Sequence, residues 1–343
     1  MKITHIHIER FRGFQNEDFE VGSLLTAIAG QNGTQKSTLL GIITQTFTLK
    51  TEDSMRVEKP LCGGSYISAF KDKFRLSPTF DKPKGHEWTI SFDAGMDDFT
   101  VESIKRTGDP NVRFWKKGAR QEGDGYISFP TIFLSLKRLV PVAEEAKIIT
   151  DDTLLTQEEL NEFKQLHNKI LIAQTPISSA TTITSKNKQS IGVSTELYDW
   201  NQNSMGQDNL GKIILALFSF KRLHDKYPRQ YKGGILAIDE MDATMYPASQ
   251  VELLKVLRKY ASKLNLQILF TTHSMSLLKA MDDLVQEVTK KEETANQAKI
   301  LYLKKVDDKI AIKQGVNFKG IQLDLNVVAE GNNRKKNRIT AYT

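Results

Sequence analysis

The chain has 343 residues, of which 39% are hydrophobic and 26% charged, a balance that supports a folded globular protein and excludes an extended disordered one. The net charge of +7 favours an acidic partner such as nucleic acid, but the basic residues are spread along the chain, and an ordinary basic surface accounts for them equally well. The single cysteine, Cys62, excludes an internal disulfide and a cysteine-rich metal site, and no apolar run approaches about eighteen residues, so a cytoplasmic protein with no membrane span and no export signal is expected.

Ile3 to Glu9 alternates apolar and polar residues as a half-buried strand does, and a polar turn follows at Arg12 and Gly13. Leu24 to Ala29 predicts another strand, Gly30 to Lys36 a polar loop, and Ser37 to Phe47 a helix, with Leu39, Leu40, Ile42, Ile43 and Phe47 at helical spacing. From Met55 to about Phe129, short runs such as Trp88 to Phe92 and Phe99 to Ile104 alternate with Gly, Pro and Lys turns, the pattern of an antiparallel side sheet. Thr131 to Leu136 suits a buried strand. Leu154 to Ala173 reads as a helix with Leu160, Phe163, Leu166 and Ile170 on one face. Thr175 to Gln189, rich in Ser, Thr and Lys, is expected to be a mobile loop. A helix from about Asn209 to His224, the strand Gly234 to Ile238, the helix Ala248 to Leu264, the strand Gln267 to Thr272 and the helix Met275 to Lys290 complete the series. Strands alternating with helices imply a parallel sheet covered on both faces.

Gly30, Gln31, Asn32, Gly33, Thr34, Gln35, Lys36 and Ser37 fit a phosphate-binding P-loop at every position but one. Such a loop wraps backbone N–H groups around a phosphate at a helix N-terminus, where unpaired donors and the helix dipole both favour negative charge. Lys36 is expected to bridge the β- and γ-phosphates of ATP and the Ser37 hydroxyl to ligate Mg²⁺, while Thr38 and Arg12 join the nucleotide-binding candidates. The departure is Gln35, where the pattern expects glycine. If that position requires a left-handed backbone, a side chain there costs roughly 1–2 kcal/mol and crowds the nucleotide, which burdens turnover more than binding.

The apolar run Ile235 to Ile238 delivers Asp239 and Glu240 at its C-terminal end, where open α/β sheets place ligands. In isolation the pair could cap a helix. Together with the upstream loop it predicts Asp239 as a Mg²⁺ ligand through water and Glu240 as the catalytic group that orients or deprotonates the attacking water. His273, which closes the strand Ile268 to Thr272, is expected to reach the γ-phosphate.

With these motifs in place, the sequence resembles the ABC ATPase superfamily, in the branch of SMC, RecF and the OLD and Septu-type defence ATPases. Ile3 to Phe14, with Phe11, Arg12, Gly13 and Phe14, is similar to the N-terminal pattern of that branch, which transporter ATPases usually lack. His273 takes the place of the family's switch histidine. Asn203 to Asp208 is similar to the signature loop, with Met205 replacing its first glycine. The resemblance implies that Ser204, Gly206 and Gln207 close over a γ-phosphate held by another subunit, hence a homodimer or higher oligomer through shared ATP sites. Met245, Tyr246 and Pro247 resemble the D-loop, although Tyr246 stands where Asp or His is usual. No glutamine is assigned to the Q-loop. Phe133 to Pro141 is similar to the stretch that follows it in OLD and Septu ATPases, and its Lys137 and Arg138 either sense nucleotide or cap a strand.

The implied fold is α/β: an ABC ATPase head with a mixed or parallel core sheet flanked by helices, an antiparallel side sheet and a helical insertion. No long coiled coil is expected, since much of the span between Lys36 and Asp239 reads as sheet. Residues 1–325 form the ATPase domain, with a P-loop lobe over about 1–150, the insertion over about 151–208 and a signature lobe over about 209–325; 326–343 is an extension. Val327 to Gly331 resembles the strand and Glu-Gly turn that open a TOPRIM nuclease domain, but the few residues after it cannot complete a metal site, so nuclease activity is not expected within this chain. Asn332 to Arg338 is basic and reads as a linker or as a contact to phosphate backbones. The resemblance further implies antiviral defence with a nuclease partner or a fused TOPRIM nuclease. The alternatives are a RecF-like DNA repair clamp and, from Gln35 and Met205, an ATP-locked scaffold that hardly turns over.

Overall fold

Strands that are apolar along their whole length must be covered on both faces, and every residue of β3 (Leu25–Gly30), β13 (Gly234–Ile238) and β14 (Leu266–Thr272) is buried. The computed structural model describes residues 1–67, 73–93, 95–105, 112–119, 124–140, 147–151, 154–185 and 189–325. These three strands form the middle of a six-stranded sheet completed by β9 (Thr131–Leu134), β15 (Ala298–Val306) and β16 (Lys309–Lys313), in the order β16-β15-β3-β14-β13-β9. All pairings are parallel except β15 with β16, so the sheet is mixed, with an antiparallel edge.

Alternate side chains of the central strands feed two separate apolar clusters. Leu25, Ala27, Leu236, Ile238, Ile268 and Phe270 face the helices α3 (Met205–Lys226), α4 (Pro247–Lys263) and α5 (Met275–Val288). Ile28, Ile235, Ala237 and Leu269 face α1 (Lys36–Thr44) and the side sheet. That sheet has five antiparallel strands in the order β2-β1-β5-β6-β7, from β1 (Ile3–Phe11), β2 (Phe14–Glu20), β5 (Glu87–Phe92), β6 (Phe99–Lys105) and β7 (Val112–Lys116). Its buried face carries Ile6, Ile8, Phe11, Trp88, Ile90, Val101 and Phe114. The Ile3 strand runs two residues further than its alternation predicts and turns at Arg12 and Gly13 into β2. Helix α1 ends before its predicted limit because Phe47 and Thr48, as β4, pair with Ile127 and Ser128 of β8.

The insertion holds the expected helix, α2 (Gln157–Leu171), entered through a capping box between Thr156 and Glu159. The mobile loop expected from Thr175 to Gln189 is corrected by the structure. Ser179–Thr184 is strand β11, paired antiparallel with β12 (Gln189–Ser194) and with β10 (Ile149–Asp151) in a three-stranded sheet. The polar composition concealed a β-branched alternation, and Ala180, Ile183, Ile191 and Val193 are all buried in the fold. Residues 186–188, and the C-terminal segment with Val327 to Gly331 and Asn332 to Arg338, lie outside the described residues. Beyond α5 the structure adds β15, β16 and α6 (Phe318–Leu325), none of them read from the sequence. No helix among the described residues is long and apolar enough to cross a membrane.

Candidate functional site

The loop after β3 is shaped by backbone that most side chains resist. Gly30 has φ 151°, and a Cβ there would lie 2.4 Å from the Leu303 carbonyl oxygen, so glycine is required. Gln35 has φ 61° and ψ 31°, the left-handed conformation that the sequence made a condition, and its amide nitrogen lies 2.9 Å from where a Cβ on Gly13 would stand. Its side chain therefore reaches the β1–β2 turn as well as lining the cleft beside the loop. Thr34 Oγ1 donates to the Gln31 carbonyl at 2.8 Å, and Lys36 Nζ donates to the Gly30 and Gln31 carbonyls at 3.0 Å each. Burial lowers the Lys36 pKa, opposed by the charges of Glu240, Asp239 and Asp242.

Asp239, at the end of β13, is buried, and its Oδ1 accepts from Ser37 Oγ at 2.8 Å and from Thr271 Oγ1 at 2.7 Å. Glu240 follows in a left-handed conformation, φ 49°, with its N–H donating to Thr271 Oγ1 at 2.6 Å. A cleft of ≈ 270 Å³ opens between these elements, lined by Asn32, Gly33, Gln35, Lys36, Ser37, Thr38, Glu240, Thr271 and His273. His273 is exposed; its partial covering and the Lys36 ammonium lower its pKa, and its backbone N–H donates to Asp242 Oδ1 at 3.4 Å. Thr271 and Asp242 were not singled out from the sequence. The only signal for Thr271 is a pair of threonines closing an otherwise apolar strand. Among the described residues no cluster of three or more His, Cys, Asp or Glu could hold a metal by itself. Ser37 and Asp239 instead offer hard oxygen donors, which fit Mg²⁺ sharing its remaining ligands with phosphate and water.

The signature-like residues lie apart. Ser204 caps α3, accepting from the Gln207 N–H at 3.3 Å, while Gln207 Oε1 accepts from the Ser204 N–H at 2.8 Å and Gln207 Nε2 donates to the Tyr198 hydroxyl at 2.8 Å. A Cβ on Gly206 would lie 2.6 Å from the Thr244 carbonyl oxygen, so the backbone of the turn before α4 packs directly on this helix start. None of Ser204, Gly206 and Gln207 lines the cleft. The Tyr246 hydroxyl donates to the Leu171 carbonyl at the end of α2. Arg12 is gripped by Asp81 through Nε and Nη2, at 3.1 and 3.0 Å, and stands 3.5 Å from Thr38 Oγ1. Lys137 is exposed, whereas Arg138 is buried behind Glu240.

Residues 135–278 match the protein family described as AAA ATPase domain. No match is found among curated proteins. A crystal structure of the SmcHead bound to the C-winged helix domain of ScpA superposes with a TM-score of 0.53 at 14% identity, covering 94% of this chain and 100% of that one. An Smc head domain with an extended coiled coil, bound to the C-terminal domain of ScpA derived from Pyrococcus furiosus, gives 0.50 at 13% identity over 94% and 98%. The mixed core sheet and the antiparallel side sheet agree with these likenesses, and the chain has the fold of an SMC-type ABC ATPase head in which residues 135–278 match an AAA ATPase domain.

Proposed function

We propose that this head binds Mg·ATP between the P-loop and the end of β13, hydrolyses it, and pairs with a second copy around the nucleotide in the cytoplasm. The observation that carries the reading is the 2.8 Å hydrogen bond from Ser37 Oγ to Asp239 Oδ1. It joins residues far apart in sequence into the oxygen pair that Mg·ATP needs, with Lys36 and Glu240 on the same cleft. Ser37 and Asp239 would hold Mg²⁺, which would supply charge to offset that developing on the phosphates. Lys36 exchanges its loop carbonyls for phosphate oxygens, Asp239 holds the Ser37 hydroxyl in place, and Glu240 takes a proton from water. A positioned general base of this kind contributes about 10²–10⁴-fold. Pairing is supported by Ser204 and Met205, which are exposed and do not line the chain's own cleft, as a loop offered to another copy's nucleotide requires.

As biological setting we propose antiviral defence, with the ATPase governing an associated or fused nuclease. The resemblance to OLD and Septu ATPases supports it, as does the absence of a long coiled coil among the described residues, whose longest helix is α3 at 22 residues. A nuclease that copurifies would support this setting; ATP-dependent DNA binding without one would favour the repair clamp.

The test is ATP turnover and assembly mass for the wild type beside Glu240→Gln, with and without DNA. Turnover is expected to fall by about 10²–10⁴-fold in the variant while ATP traps a larger assembly. A wild type that binds ATP and never turns it over would overturn hydrolysis and leave the scaffold reading, which the left-handed Gln35 favours.

A further inference from the structure

Arg138 is 2% exposed and stands on the helical turn Leu136–Leu139 that follows β9. All of its guanidinium nitrogens end on carbonyl oxygens: Nε on Asn209 Oδ1 at 2.7 Å, Nη1 on Leu134 and Ser135 at 3.2 and 3.1 Å, and Nη2 on Glu240 at 2.8 Å. A buried cation that rests on dipoles is costly beside an apolar residue of similar size. Asp239, Glu240 and Asp242 balance it only at longer range, and burial brings its pKa down to about 10. Packing alone gives no reason for an arginine here.

The partners do. Glu240 is left-handed, its N–H is held by Thr271 and its carbonyl by Arg138, so the peptides on both sides of its Cα are fixed. Asn209, itself fully buried, sits in the second turn of α3 beyond Ser204. It accepts from Arg138 and donates Nδ2 to the Ala243 carbonyl at 2.9 Å and to Thr244 Oγ1 at 3.4 Å. The Thr244 carbonyl is the one on which Gly206 packs. One guanidinium and one amide thus tie together the end of β9, the turn that carries Glu240 and the start of the helix that Ser204 caps.

We propose that Arg138 is a positioning residue that joins Glu240 to the Ser204 helix start, so that the carboxylate serving a chain's own nucleotide and the loop offered to a second copy's nucleotide move as one unit. The inference rests on the ATPase reading above and adds to it the coupling between two sites. Arg138 touches no substrate; it acts through the Glu240 carbonyl and through Asn209. Lysine at this position keeps the charge but cannot span the same carbonyls, and alanine at position 209 cuts the link to α3 while leaving Arg138 on Glu240.

The experiment is steady-state ATP hydrolysis, ATP affinity and ATP-driven assembly for Arg138→Lys, Asn209→Ala and the double variant, with Glu240→Gln in the same series and folding checked by circular dichroism. Arg138→Lys is expected to lower kcat by about tenfold to a hundredfold with KM and ATP affinity within about threefold of wild type. Asn209→Ala is expected to bring the Hill coefficient for ATP to about one, and the double variant to be no slower than Arg138→Lys alone, since the two act through one network. A merely structural arginine would instead lower the melting temperature and leave kcat of the folded protein unchanged. Wild-type kcat in folded Arg138→Lys, or strictly additive effects, overturns the inference while loss of turnover in Glu240→Gln leaves the ATPase reading standing. If Glu240→Gln turns over normally, that reading falls, and the coupling is judged by assembly alone: Arg138→Lys assembling with ATP like the wild type overturns it. Should Arg138→Lys not fold, cooperativity in Asn209→Ala decides, and an unchanged Hill coefficient sinks the proposal.

Discussion

The two ends of the head to which we assign the nucleotide and the second copy are built in opposite ways. At the P-loop end, side chains from the start of α1 and from the ends of the neighbouring strands β13 and β14 meet directly, Ser37 and Thr271 on Asp239, with Lys36 and Glu240 on the same cleft. At the Ser204 end, most contacts run to the backbone: a capping box, a glycine seated on the Thr244 carbonyl, and the Tyr246 hydroxyl on the Leu171 carbonyl in the last turn of α2. The first end is a cleft of convergent polar side chains within one chain. The second is a surface outside that cleft, and Met205 and Tyr246, at 43% and 48% exposure, leave it open to another molecule. A polar cluster that converges suits a small ligand, whereas an exposed corner of capped backbone suits contact with another molecule.

The sharpest way to break this comparison is to remove the cation of the first end. Lys36→Ala is expected to weaken ATP binding by about a hundredfold or more, about 3 kcal/mol, because a charge-assisted contact to phosphate is lost. Titration calorimetry checks it, and wild-type affinity would show that the cleft is not the nucleotide site. The insertion behind the second end offers a test through pH. His167 is buried beside Phe163, ring centroids 5.8 Å apart, and burial pushes its pKa down to about 4 from 6.5. The unfolded chain therefore takes up this proton first. The contribution to stability is complete above pH 6.5 and is lost as the pH falls from 6.5 towards 4, by on the order of 3 kcal/mol in all. His167→Phe is expected to flatten that acid slope in urea unfolding, and an unchanged slope would mean that His167 is not packed as described.

A smaller effect separates the two ends directly. Gly206→Ala pushes a methyl into the Thr244 carbonyl and is expected to cost about 1–3 kcal/mol of stability and to abolish ATP-driven assembly, while ATP affinity of the isolated chain holds. Equal loss of affinity and assembly would merge the two ends into one site. The smallest effect is at Gln35. Gln35→Gly relieves the left-handed strain and forfeits unfolded-state restriction and packing on Gly13, so stability is expected to change by no more than about 1 kcal/mol while turnover rises. A slower Gln35→Gly would show that the glutamine aids turnover instead of hindering it.

Much of the architecture could be read before any coordinates. The predicted strands Leu24 to Ala29, Gly234 to Ile238 and Gln267 to Thr272 fall on β3, β13 and β14, which are buried on both faces, and a run that is largely apolar has few other places to go. The positions of the loop from Gly30, between β3 and α1, and of Asp239 and Glu240, after β13, are equally legible, since each is set by local order in a short segment. The insertion was misread at β11 because Ser, Thr and Lys describe an exposed loop and a half-buried strand alike, and only the cover given by α3 to β12 chooses between them.

What the sequence determined by itself was therefore local: which runs are buried strands, which loop joins the first of them to a helix, and which carboxylates end a buried strand. What the tertiary structure decided was every role that depends on a distant partner. Arg12 is committed to Asp81, Thr271 orders both Asp239 and Glu240, and Arg138 lies behind Glu240 with Asn209 when it could have capped a strand in solvent. The physical reason is that a motif is held by neighbours along the chain, whereas a buried polar side chain is satisfied only by groups that folding brings to it, and nothing in its own surroundings in the sequence says which.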